Sequence, residues 1–577
     1  MRHASTPRDG LDSLTLEVMR RHLISSVAEM VRTTTRTAYS TVFSEALDFS
    51  CALFDEDGRM IAQAAGLPVH VGALGDALQD MFRYYDSFER GDVIIHNDPY
   101  AGGTHQADVA VIRPMFHEGA QLGFAVNRGH WADIGGMTAG GWGGGARHVI
   151  QEAITIPPTK LYRKGEVIRE IRDFVLRNVR MPAQAWGDLQ AQIASAITAE
   201  RRVVDLAERY GVDAVREAGR RAITYSGDRF RRQMAVIPDG RYEAQDIMDD
   251  DGFGGDPRTL SISVVKQGTS LTVDFEGTSA QVAGSINATL AATKAAVHTA
   301  LINIIDPEIP INAGSLEAVE IKAPLGSLVN PTYPAPCFAG LADTTARSYE
   351  TIFKALADAV PERVAAGSYA SGTCTTGWGF VGGNEFVWYA FGPGGCGARA
   401  WGDGNSAEWN AMGSCKNESA EVWENRYPVR VRELAFVPDS AGAGRWRGGL
   451  GQVKALQLLE DTYVSASIDH MIGLPFGLQD GETGTNNAIT LDEDGVERDF
   501  PTRFGTQSLG KFSNLLAPAG STLRIYAGGG GGFGPVSERP RELVEADIRG
   551  GYISQDAARE RYGFEPGDPA QHEKGQS

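Results

Sequence analysis

At 577 residues, with 42% hydrophobic and 22% charged side chains, the chain has the composition of an ordinary globular protein long enough for more than one domain. A formal net charge of -19 and a pI near 5.1 argue against nucleic acid or an anionic membrane as the main partner. Five scattered cysteines, never in C-x-x-C spacing, exclude a disulfide framework and a thiolate zinc site; without an apolar leader or an apolar run of ~18 residues, the expected location is the cytoplasm.

The first predicted element is a helix over Leu14 to Ala38. Leu16, Met19, Leu23, Val27, Met30 and Val31 recur at helical spacing, and Asp12-Ser13 offers an N-cap. Cys51-Ala-Leu-Phe54 and Arg59-Met-Ile-Ala-Gln63 flank Asp55-Glu-Asp-Gly58 and predict a hairpin. Asp48 stands at the entrance of its first strand, either as a turn or capping residue or as an oxygen ligand. His70, in Leu67-Pro-Val-His-Val-Gly72, opens a helix predicted from Ala73 to Tyr85, a position where an imidazole is held neutral. Gly91 to Asn97 reads as a buried strand.

The stretch from Asn97 to Gly136 carries the most chemistry. Val109 to Phe116 and Leu122 to Val126 are short and β-branched, and the Glu118-Gly119 pair between them suits a hairpin turn. Folding back about Gly119 sets Asp108 near Gly129 and His130, with His105 just beyond the strand end; opposed side chains lie ~5 Å apart. Imidazole nitrogen with carboxylate oxygen suits Zn²⁺, Mn²⁺ or Fe²⁺, and three protein ligands leave a position open for water. A single His or Asp in such a loop is more often a turn residue. The convergence is what counts, since eight of the eleven histidines fall in the first 148 residues. Asp133 follows His130 closely and is not ranked against the others by the residues alone.

Gly135 to Gly145 is too glycine-rich for regular structure and reads as a flexible lid or a backbone-lined pocket. No Gly-Lys-Ser/Thr follows it, which disfavours a phosphate loop. Glu152 to Pro158 reads as a strand and residues 168–225 as helical. Ile237-Pro-Asp-Gly240 is the predicted boundary between an N-terminal metal-site domain (1–238) and a C-terminal α+β domain (239–565), with a disordered tail at 566–577. Beyond it come strands at 260–265 and 271–275, helices at 288–305 and 343–359, and strands at 385–391, 428–436 and 521–526. Gly528 to Gly532 reads as a tight connection rather than an anion site, and Glu538 to Tyr562 as helical. The fold class is α+β, mixed and multi-domain: an N-terminal helix and β-hairpin metal-site domain, then a strand-rich domain with helices.

Several motifs then fall in one order along nearly the whole chain: Asn97-Asp-Pro-Tyr-x-Gly-Gly-Thr-His105-x-x-Asp108, Gly129-His130-x-x-Asp133-Ile-Gly-Gly136, Ile309-Pro-Ile-Asn-x-Gly314, Pro334-Ala-Pro336, the glycine run ending at Pro535, and Asp547-Ile-x-Gly-Gly-Tyr-Ile-Ser554. Together they resemble the B-type subunit of the hydantoinase/oxoprolinase family, which includes ATP-dependent hydantoinases, 5-oxoprolinase, caprolactamase and the acetone and acetophenone carboxylases. The resemblance implies a metal-bearing subunit that works with a separate A-type ATP-binding subunit or domain, expected as two copies of each. It implies His105, Asp108 and His130 as ligands of one divalent metal, Zn or Mn first and Fe as the alternative, with Asp48 completing the shell. His70 or Asp133 is expected to handle protons, Asp133 otherwise orienting an imidazole. ATP with Mg²⁺ on the partner would phosphorylate the amide oxygen, and this chain would attack the activated amide of a hydantoin, oxoproline or lactam. Two alternatives stay open. One is a subunit of an ATP-dependent ketone carboxylase using the same ligands; the other is a non-catalytic assembly subunit with a structural metal.

Overall fold

The computed structural model of the protein describes residues 12–64, 66–413 and 415–565. The tail expected to be disordered, 566–577, lies outside the described residues.

The helix Ser13–Thr37 begins where Asp12 caps it, its carboxylate accepting from the Thr15 amide, and it buries Met19, Leu23, Val27 and Met30 as their spacing predicts. With the long helix Pro182–Tyr210 it packs on one face of a seven-stranded antiparallel sheet. Across that sheet the strands run Met60–Gln63, Phe49–Phe54, Ala120–His130, Asp108–His117, Val93–His96, Thr159–Arg163 and Glu166–Val167. The opposite face is covered by the helix Ala73–Met81, whose Leu74, Leu78 and Met81 meet Ala52, Ile94, Ala110, Ile112, Phe124 and Val126. Cover on both faces is why the central strands are apolar almost throughout rather than alternating.

Three smaller sheets follow. Gly240–Met248, Arg258–Gln267, Ser270–Asp274 and Glu320–Lys322 form a four-stranded sheet against which the helix Asp343–Leu356 packs. Cys374–Val381, Asn384–Ala390, Thr462–Ser467 and Lys511–Ala517 form another, and a five-stranded sheet is built on Val429–Phe436, Gln452–Leu458 and Thr522–Ala527. The protein is thus mixed α+β. One cluster of buried apolar side chains extends from Met19 to Phe533, so residues 237–240 mark a change from helices to strands within a continuous core. Among the described residues no helix is long and apolar enough to cross a membrane.

Two local expectations are corrected. The helix from Ala73 stops at Met81. Glu152 to Pro158 is not a strand: Val149–Glu152 is one helical turn, and the next strand starts at Thr159. Asn97 is the reason, because its amide nitrogen donates to the Ile154 carbonyl at 3.0 Å and its Oδ1 accepts from the Ile156 amide at 2.6 Å. The glycine run 528–532 is a connection, as read. Its amides donate to the side chains of Asn487 and Thr485 and to the carbonyls of Gly449, Gly367 and Glu482, leaving none for an anion. A Cβ on Gly530 would lie 2.1 Å from the Cys396 carbonyl oxygen, so only glycine fits so close an approach.

Candidate metal centre

The site forms at one end of the large sheet because three neighbouring strands keep register there. Asp108 pairs directly with His130, and Gly129 pairs with both Val109 and Phe49. Asp48, one residue before its strand, therefore joins the row, and the His130 amide donates to its carbonyl at 3.1 Å. The hairpin turns at Glu118-Gly119, with φ of 47° and 85°. Left-handed backbone at both positions is the turn whose twist matches paired strands. A bulge between Met115 and Phe116 shifts the register by one residue to bring Asp108 opposite His130.

Two further imidazoles arrive from loops. His105 lies just before its strand, held by the Asp108 amide on its carbonyl at 3.2 Å. The loop reaches it through Gly102, φ 83°, where a Cβ would stand 2.4 Å from the backbone of Asp76. His70 sits on the single turn Pro68–Val71. Its Nδ1 faces the Ser50 hydroxyl at 3.3 Å, and its Nε2 lies 3.0 Å from Asp108 Oδ2. His105 Nδ1 is also 3.0 Å from that oxygen, and His130 Nδ1 is 3.8 Å from Oδ1.

Asp108 is thus the hub of two donor sets, His105/Asp108/His130 and Asp48/His70/Asp108, each with its ligand atoms within 4.8 Å of one another. All five side chains are buried. His70 Nε2, both ring nitrogens of His105, His130 Nε2 and Asp108 Oδ1 lack a hydrogen-bond partner of ordinary geometry. Buried polar atoms are rarely left so, and a nitrogen–oxygen donor set of this kind fits a divalent first-row metal.

The electrostatics agree. Burial pushes the Asp108 carboxyl up, but the charges of His105 and His70 outweigh it and hold it well below the usual range. Burial, together with Asp108, pushes Asp48 up to about 8. Burial and His105 hold His130 down to about 3, keeping it the neutral imidazole a metal requires.

A cavity of about 40 Å³ opens on the cluster, walled also by Trp142, Tyr389, Trp409 and Met412. The His105 ring lies 4.4 Å from that of Phe338, and His130 stacks on Trp142 at 6.3 Å.

Asp133 goes elsewhere. Its Oδ1 accepts from Gly140 N at 3.2 Å and Arg180 Nη1 at 2.9 Å; its Oδ2 accepts from Gly135 N at 3.2 Å and Arg180 N at 2.7 Å. It does not line the cavity. The expectation that it orients an imidazole or carries protons is therefore corrected: a guanidinium and backbone amides hold both oxygens. The stretch Gly135 to Gly145 is likewise a packed wall and not a flexible lid, since a Cβ on Gly141 would meet the Phe338 ring at 2.3 Å and one on Gly144 the Lys511 backbone at 2.5 Å.

Sequence reading missed several residues. Thr104 donates a short hydrogen bond to Asp108 Oδ2, and its place in Gly-Gly-Thr-His was the available signal. Buried Arg128, two residues before His130, shares its face; burial lowers its pKa to about 10, against the pull of Asp108. Phe338 and Tyr389 come from distant segments and had no local signal.

The fold and the buried His/Asp cluster have known kin. The family model for hydantoinase B/oxoprolinase matches residues 12–536. The chain is 32% identical over 574 residues to the B-type chain of a putative D-/L-hydantoinase of Pseudomonas sp. (strain NS671), covering 96% of this chain and 95% of that one. It is 31% identical over 570 residues to the beta chain of the caprolactamase of Pseudomonas jessenii, covering 96% of each. The crystal structure of the ATP-dependent caprolactamase from Pseudomonas jessenii superposes with a TM-score of 0.90 at 29% identity, over 98% of both chains. The nucleotide-free acetone carboxylase shares the fold, with a TM-score of 0.86 at 19% identity over 96% of this chain and 79% of that one. The chain belongs to the hydantoinase B/oxoprolinase family.

Proposed function

We propose that this chain is the metal-bearing subunit of an ATP-dependent cyclic amide hydrolase, with one divalent ion held by His105, Asp108 and His130 and flanked by Asp48 and His70. The observation that carries this reading is the set of buried imidazole and carboxylate atoms around Asp108 that lack hydrogen-bond partners. The donor set suits Zn²⁺ or Mn²⁺, with Fe²⁺ as the alternative. Such a metal lowers the pKa of bound water towards ~7 and polarises a carbonyl.

The chain's own residues do the rest. Trp142, Tyr389 and Phe338 keep bulk water from the imidazoles. Ser50 faces Nδ1 of His70, so Nε2 is turned to Asp108, where it either ligates or takes a proton. A cavity of about 40 Å³ holds an ion with one or two waters. A ring therefore enters only when a wall moves, and the segment Trp409 to Met412 is the wall on the side of the next large cavity. The similar hydantoinase and caprolactamase chains are each one of the unlike subunits of their enzymes, and the caprolactamase is ATP-dependent. These support an A-type subunit carrying ATP-Mg as the partner here; two copies of each, in the cytoplasm, complete the proposal.

The test uses the complex co-purified with its A-type partner. Elemental analysis should find about one metal per chain, falling at least tenfold in His105→Ala/His130→Ala along with ATP-dependent ring opening of hydantoin, 5-oxoproline or caprolactam. Metal content equal to wild type in that variant overturns the site. Bicarbonate-dependent consumption of a ketone, with no ring opened, moves the reading to the carboxylase.

A further inference from the structure

Beside the metal cavity lies a separate chamber of about 450 Å³, lined by Glu350, Ser368, Tyr349, Arg363, Arg399 and Trp401 among others. It shares the Asn410 wall with the metal cavity, and it has charges of both signs. Glu350 is 5% exposed. Its Oε1 accepts from the Ser368 amide at 2.9 Å and from the Ser368 hydroxyl, while its Oε2 has no partner. Burial pushes its carboxyl up to about 7, against the Ser368 hydrogen bonds and the charge of Arg347. That is the behaviour of a carboxylate whose desolvation outweighs the charge of Arg347 beside it.

Two guanidinium groups line the same chamber without a carboxylate partner among the described residues. Arg399 lies over the Trp401 ring at 5.2 Å. Arg363 donates only to the carbonyls of Ile304 and Ile305, at 3.4 and 3.2 Å. Arginine is the side chain best matched to a carboxylate. The rings of Tyr349 and Phe353 also line the chamber, and the volume lies in the range of small-molecule sites.

We infer that this chamber binds a small amino acid, its ammonium on Glu350 Oε2 and its carboxylate on Arg399 and Arg363. Resting on the proposed hydrolase, this ligand is the product class: water added across a lactam C–N bond leaves one carboxylate and one ammonium on the same molecule. The chamber would hold the opened product one wall away from where the ring is cut.

The experiment is calorimetric titration of the full chain with 4-aminobutanoate, 6-aminohexanoate and L-glutamate, with hexanoate and hexylamine as single-ended controls. At least one amino acid should bind with a Kd below about 1 mM while neither control does. Glu350→Gln and the half-exposed Arg399→Gln should each weaken binding about tenfold or more. His105→Ala/His130→Ala should bind as wild type does, which separates this site from the metal centre. The inference is overturned if no amino acid binds, if hexanoate or hexylamine binds equally well, if both Glu350→Gln and Arg399→Gln bind normally, or if binding disappears with the metal ligands.

Discussion

The protein buries two clusters of ionisable side chains on either side of the glycine wall 135–145, and they are built on opposite plans. Around Asp108 the imidazole and carboxylate atoms converge but leave their hydrogen-bonding capacity largely unused. Around Asp469 nearly every polar atom has a partner. Lys511 donates to Asp469 Oδ2 at 2.7 Å, and Arg347 reaches Asp469 Oδ1 at 3.5 Å and His470 Nε2 at 2.5 Å. Ser371 donates to Asp343 at 2.8 Å, and the amides of Met471, Ile472 and Gly473 converge on Asp249. Burial raises the Asp469 carboxyl, but Lys511 and Arg347 outweigh it and hold it down. A buried charge is tolerated when it is paired and hydrogen-bonded. Hence the Asp469 cluster reads as a fastener between the loop after Gly240–Met248 and the strand Lys511–Ala517, and the Asp108 cluster as a place for something positively charged.

The largest effect that distinguishes the two is on folding. Lys511→Met leaves Asp469, Asp343 and Asp249 with Arg347 as their cation, and should cost ~3–5 kcal/mol in a urea titration. In the metal-free chain His130→Gln should cost less, under ~2 kcal/mol, because burial keeps that ring neutral, its Nε2 has no hydrogen-bond partner, and the charges that hold Asp108 down are those of His105 and His70. Equal costs would break the comparison. A smaller effect is expected at the wall itself. Gly144→Val drives a side chain into the Lys511 backbone, and overpacking of this kind costs ~1–3 kcal/mol; metal content should hold while the urea midpoint falls. A drop in metal with an unchanged midpoint would make the wall part of the metal site instead.

The last effect concerns protons. His298 belongs to neither cluster, yet burial holds it down to about 3 from an ordinary 6.5, with Lys294 adding to the shift. Between those values the unfolded chain binds a proton that the native chain refuses. Its contribution is therefore complete above pH 6.5 and is lost as the pH falls towards 3. His298→Gln should flatten the pH dependence of stability in this window by about 1.4 kcal/mol per pH unit. Denaturation midpoints at about pH 5 and 7.5 measure it. An unchanged slope would show that His298 takes up its proton without strain.

Much of the architecture is written locally, and the residues show how. Asp12 capping the first helix, the apolar spacing of Met19 to Met30, and Glu118-Gly119 turning the hairpin are all interactions within a few residues, so composition and periodicity suffice to read them. The pairing of Asp108 with His130 takes that turn and also the bulge between Met115 and Phe116, because the register at the turn alone would set Asp108 opposite Gly129. What the chain alone left open depended on partners far away in sequence. The position of Asp133 was decided by Arg180, the burial of the glycine stretch by Phe338 and Lys511, and the shape of residues 153–158 by Asn97. The Asp469 cluster joins residues between 249 and 511 with no spacing that marks them. His70 and Asp48 reach Asp108 only because a one-turn helix and the entry to a third strand end at the same edge of the sheet. Local turns and periodicities are intrinsic to a segment; where a charge finds its counter-charge is settled by packing, which only the folded chain possesses.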